Sequence, residues 1–77
     1  MKDKHSEKFR IIGLNIAYYR RLKHMSQLAL AEAADISRTH LSNIEAPNVD
    51  TAISLSVLFD ISEALGIPPS KLIDFDK

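Results

Sequence analysis

Two eight-residue stretches with helical apolar spacing, 27–34 and 38–45, are separated by only three residues, Asp35-Ile36-Ser37. No other feature limits the possible folds as tightly. In the first stretch Leu28, Leu30, Ala31 and Ala34 supply apolar contacts. In the second, Leu41 and Ile44 fall at i, i+3. Ser26 and Ser37 stand directly before them, where a hydroxyl accepts from the exposed first-turn amides. Two short helices joined this closely must cross steeply.

The flanks read as helices too. Phe9, Ile12, Ile16 and Tyr19 form one apolar stripe at i, i+3, i+7 and i+10. Ser6 is the expected N-cap of this helix, and Glu7 suits the positive end of its dipole. The helix is expected over about 7–23. Gly13 lies inside it at a cost of roughly 1 kcal/mol against alanine, which points to close helix packing. Pro47 stops the third helix near Glu45. Leu55, Leu58, Ile61 and Leu65 predict a fourth over about 51–65, ended by Gly66 at the usual C′ position. Pro68-Pro69 opens a short fifth over 70–73. Period-two alternation and Asn-Gly or Asp-Gly hairpins are absent. The expectation is an all-α bundle of five short helices forming a single domain over 1–77. Its core is Phe9, Ile12, Ile16, Tyr19, Leu30, Ile36, Leu41, Ile44, Leu55, Leu58, Ile61 and Leu65.

Composition removes several functions. Without cysteine there is no thiolate metal site, disulfide or cysteine nucleophile. The three histidines lack metal-ligand spacing, so no metal or other cofactor is expected. Two glycines cannot build a phosphate-binding loop. Asp60 and Glu63 share a helix face, but a surface pair of acids is ordinarily solvation, and a deep pocket is hard to build in 77 residues. Neither an enzyme nor a small-molecule site is expected. No apolar run approaches a membrane span and Met1 to His5 lead into no signal-type segment, so a cytoplasmic location is expected. Residues 1–45 carry eight Lys/Arg and five Asp/Glu, net +3; residues 46–77 carry two and five, net −3. The zero total argues against strong nonspecific polyanion binding, and the asymmetry permits a basic face on the first half.

The stretch from Ser26-Gln27 through Leu28-Ala29, Ile36-Ser37 and Ile44-Glu45 resembles the Cro/cI-type (Xre-like, lambda-repressor-like) helix-turn-helix family. Ile12-Gly13, Ile16 and Tyr19-Arg20 are similar to that family's first helix, and Ala64-Leu65-Gly66-Ile67 with Leu72-Ile73 to its last two. His24 and Asp35 stand where the family often has glycine. Asn, Asp and His tolerate a left-handed backbone best, so both turns should survive. Glu45-Ala46-Pro47 replaces the family's Glu-x-Gly, and the following loop is about two residues longer than usual.

The resemblance implies a sequence-specific DNA-binding transcriptional regulator, a repressor or controller that reads a palindromic operator in double-stranded DNA. Arg38, Thr39 and Asn43, on the outer side of the third helix, are the expected base readers. Arginine pairs with guanine, asparagine with adenine, and a threonine methyl touches thymine. Gln27, Ser37, His40, Arg21 and Lys23 are the expected phosphate or positioning contacts. Without the resemblance, all eight would read as ordinary exposed polar residues or helix caps. Arg20 and Glu45 match the family's structural ion pair. A homodimer is implied, with Ile67, Leu72, Ile73 and Phe75 as its surface; Leu72 could equally cap the monomer core. The competing function is a protein-interaction module of the same fold, such as an antitoxin-like partner.

Overall fold

The computed structural model describes residues 4–76; Met1, Lys2, Asp3 and Lys77 lie outside the described residues. The described residues form four α-helices, α1 (Ser6–Leu22), α2 (Gln27–Ala34), α3 (Arg38–Glu45) and α4 (Leu55–Leu65), followed by a 3-10 turn, Pro69–Lys71. The fifth helix expected from the sequence is therefore a single tight turn. Pro68 and Pro69 start it but cannot donate backbone hydrogen bonds, and it closes with Leu72 N donating to Pro69 O.

Three helices end by the same device. His24 and Asp35, each with φ 58°, and Gly66, with φ 69°, take the left-handed conformation. At each end two amides turn back. His24 and Met25 donate to Arg21 and Arg20, Asp35 and Ile36 to Glu32 and Ala31, and Gly66 and Ile67 to Glu63 and Ser62. This Schellman pattern satisfies the last carbonyls of the helix. An apolar residue follows each left-handed one, and Met25, Ile36 and Ile67 all pack against the core. Each helix end thus also pins the next segment inward.

The N-termini correct two expectations. Ser6 is the first helical residue of α1, and His5 holds the cap position. Helix α4 begins at Leu55 rather than near Thr51, because Ser54 caps it, its hydroxyl accepting from Val57 N at 3.1 Å. That shift leaves 46–54 as a nine-residue connection. Leu55, now the first residue of the helix, is 67% exposed and is not a core residue. Leu28, expected to make apolar contacts, is 52% exposed on the outer side of α2.

The core is Ile12, Ile16, Leu30, Ala31, Ala34, Leu41, Ile44, Leu58, Ile61, Leu65 and Leu72, with Phe9, Tyr19 and Ile36 partly buried at its edge. Helix α2 packs on α3 and α4, and α1 packs on α3. Gly13 sits at the α1–α3 crossing, where a Cβ would overlap the Ile44 carbonyl oxygen. Only a residue without a side chain allows that approach.

Candidate nucleic-acid interface

Helices α2 and α3 are each opened by a serine. Ser26 Oγ accepts from Ala29 N and Ser37 Oγ from His40 N, both at 3.0 Å. Ser37 is thus engaged as a cap, and a serine hydroxyl that accepts in this way still has its own hydrogen to donate. Leu41 and Ile44 anchor the inner side of α3 in the core. Arg38, Thr39 and Asn43 are exposed, and His40 and Ser42 are half-buried at the edges of that outer face. The structure therefore brings the three expected base readers onto one open surface. Arg21 and Lys23 are exposed at the end of α1.

A buried polar network holds α3 in place. Arg20 Nε donates to Glu45 Oε2 at 2.8 Å and Nη2 donates to Oε1 at 3.0 Å. The two residues are 8% and 7% exposed. The bidentate geometry matches the guanidinium fork to the carboxylate and fixes both position and angle. Arg20 Nη1 also donates to the Met25 carbonyl at 2.8 Å, which ties in the turn before α2. Half-buried Gln27 completes the network, its Nε2 donating to Glu45 Oε1 at 3.0 Å. One carboxylate at the end of α3 thereby joins α1 and the first residue of α2. The Gln27 amide nitrogen keeps a second hydrogen for an outside acceptor.

Among the expected surface residues, Ile73 and Phe75 are 44% and 40% exposed and Ile67 is half-buried. Leu72 is not a surface residue. It is fully buried, because the 3-10 turn folds its side chain under α4 into the core.

Sequence reasoning missed Asn15. This buried residue donates from Nδ2 to the carbonyls of Leu72 and Asp74 at 3.0 and 3.1 Å. A signal was present: residue 15 shares a helical flank with the apolar positions 12, 16 and 19, where a polar side chain needs an internal partner. No helix among the described residues is long and apolar enough to cross a membrane.

A family model described as helix-turn-helix matches residues 16–72. The chain is 42% identical over 52 residues to the control protein C.BamHI of Bacillus amyloliquefaciens. That alignment covers 68% of this chain and 62% of the relative, so the matched region is under two thirds of the relative's length. The fold is also similar to SinR in complex with DNA, at 36% identity and TM-score 0.76, covering 82% of this chain and 98% of that one. The N-terminal DNA binding domain of SinR from Bacillus subtilis gives 34% identity and TM-score 0.78, with 87% and 96% covered. At 24% identity, the restriction-modification controller protein C.AhdI from Aeromonas hydrophila shares the fold, with TM-score 0.79 over 86% of this chain and 97% of that one.

Proposed function

This chain belongs to the Cro/cI-type, Xre-like helix-turn-helix family, and from that premise we propose that it is a sequence-specific DNA-binding transcriptional regulator. The observation that carries the reading is the open face of α3. Arg38, Thr39 and Asn43 stand exposed on a helix whose far end is clamped by Arg20, Glu45 and Gln27. A reading helix must be rigid, since a base-specific bidentate contact tolerates little misplacement. The N-terminal part of α3 enters the major groove, with Arg38 on a guanine edge, Asn43 on adenine and the Thr39 methyl against thymine.

Phosphates take the remaining groups. The first amides of α2 lie at a helix N-terminus, which attracts an anion, and Gln27, the first residue of that helix, has a second amide hydrogen to give. Ser37, His40, Arg21 and Lys23 serve as further backbone contacts. The domain acts in the cytoplasm, as a repressor or controller, and pairs as a symmetric homodimer. The likeness to SinR in complex with DNA supports the DNA reading. The exposed tail residues Ile73 and Phe75, with Ile67 at their edge, support the dimer. Two recognition helices then meet half-sites about 34–36 Å apart, one turn of the duplex.

Selection of bound sequences from a random DNA pool tests this, run on the parent, Gln27→Ala and Arg38→Ala. Gln27→Ala leaves the bidentate Arg20–Glu45 pair holding α3 and weakens all sequences by a similar factor, because phosphate contacts carry no base information. Arg38→Ala costs about 1–3 kcal/mol on the selected operator and relaxes one base pair per half-site. An Arg38→Ala protein with the parent's full base preference would assign Arg38 to phosphate instead. A parent that enriches no sequence would overturn the function.

A further inference from the structure

Asn15 lies in an otherwise apolar run, Ile11-Ile12-Gly13-Leu14-Asn15-Ile16-Ala17, and is only 5% exposed. Its Nδ2 donates to Leu72 O at 3.0 Å and to Asp74 O at 3.1 Å. Both partners are carbonyl acceptors, so the nitrogen of the amide must face them. One side chain in the first helix thus holds two backbone groups near the other end of the chain. Leu72 is buried in the core beside this anchor, while Ile73 and Phe75 stay exposed next to the held positions. Other sides of α1 meet α3: Gly13 lies against the Ile44 carbonyl and Arg20 grips Glu45. Helix α1 therefore bonds to α3 on one side and to the tail on another.

We propose that Asn15 is a positioning residue for paired DNA reading: it sets Ile73 and Phe75 at a fixed place relative to α3, so that two copies joined through their tails hold their recognition helices at one spacing. The inference rests on the tail-mediated dimer proposed above. Asn15 touches no DNA, and its effect runs through the geometry of the dimer. A tail released from α1 would still leave each α3 clamped by Glu45, and each copy would still read its half-site.

The test uses duplexes that the parent selects from a random pool, prepared with one half-site, with two at the selected spacing, and with two separated by a few extra base pairs. Asn15→Asp keeps the shape but turns oxygen toward both carbonyls. Asn15→Ala removes the anchor and leaves the carbonyls to water, and serves if the aspartate variant does not fold. Affinity for one half-site is expected to stay within about twofold of the parent. Cooperativity at the selected spacing is expected to fall about tenfold, and the preference over the lengthened duplex to flatten. Unchanged cooperativity and spacing preference in a folded variant overturn the proposal alone. An equal loss on one and on two half-sites also overturns it, since Asn15 would then only support the fold. A parent that binds two half-sites without cooperativity overturns the dimer reading and this proposal with it.

Discussion

Glu45 shows how much one side chain settles. It is nearly buried, and it accepts from Arg20 on α1 and Gln27 on α2 while sitting on the last turn of α3. Removing one partner of a buried pair leaves an uncompensated charge, so Arg20→Ala and Glu45→Ala should each cost about 3 kcal/mol or more. The double variant should cost clearly less than the sum of the two. Urea denaturation in a double-mutant cycle reads this out, and strict additivity would mean that the pair does not act as one unit. Gly13 makes a second residue-scale prediction. In an exposed helix Gly→Ala would gain roughly 1 kcal/mol of propensity. Here the new Cβ meets backbone, which cannot swing aside, so Gly13→Ala should lower stability by about 1–3 kcal/mol. A denaturation midpoint at or above the parent's would place α1 farther from α3. The Arg20–Glu45 pairing was legible through the family resemblance. The third member's use of the same carboxylate was not, because Gln27 lies 18 residues from Glu45 and only the α2–α3 crossing brings them together.

Individual elements depend on how they stop as much as on how they start. His24 and Asp35 are the two residues other than glycine with positive φ among those described, and both sit at Schellman ends. An ordinary L-residue pays roughly 1–2 kcal/mol in that conformation, and aspartate pays less because its side chain bonds locally. Asp35→Ala should therefore lower stability by about 1 kcal/mol, while Asp35→Gly should match or exceed the parent. Thermal unfolding of the two variants checks the order, and equal midpoints for alanine and glycine would remove the strain argument. The family resemblance pointed to both left-handed turns, at positions where the family often has glycine and this chain has residues that tolerate that conformation. The start of α4 was not readable in the sequence. Thr51 and Ser54 are both acceptable caps, and the choice fell to Ser54, whose hydroxyl accepts from Val57 N with Val57 packed on the core. Leu55 is then the first helical residue and is exposed.

For the molecule as a whole, the net charge of zero bears on how it can hold DNA. Arg21, Lys23 and Arg38 are the cations assigned to the proposed interface, three from each protomer. Counterion release gives a slope of about −0.9 per phosphate neutralised, so the slope of log K against log salt for the dimer should be no steeper than about −5. Titration of the selected operator at several salt concentrations measures it, and a much steeper slope would require cations from elsewhere in the chain. Self-association belongs to the same scale. Sedimentation at tens of micromolar should show a dimer, and Phe75→Asp should shift it toward monomer while leaving the helical content unchanged. A parent that stays monomeric even on operator DNA would remove the tail as an interface.

What the sequence determined by itself is what local physics controls. Apolar spacing placed α1, α2 and α3 almost to the residue, and the serines before α2 and α3 marked where they start. The family resemblance added the left-handed turns after α1 and α2 and the expectation that the outer face of α3 meets DNA. Tertiary structure alone decided which partner each long-range polar group takes and which apolar residue turns inward. Leu72, Ile73 and Phe75 are alike in hydropathy, yet the first is fully buried and the others open, because the 3-10 turn and the Asn15 anchor orient the tail. Asn15 and Leu72 stand 57 positions apart. No helical period links residues at that separation, and only the packed core brings them within hydrogen-bond reach.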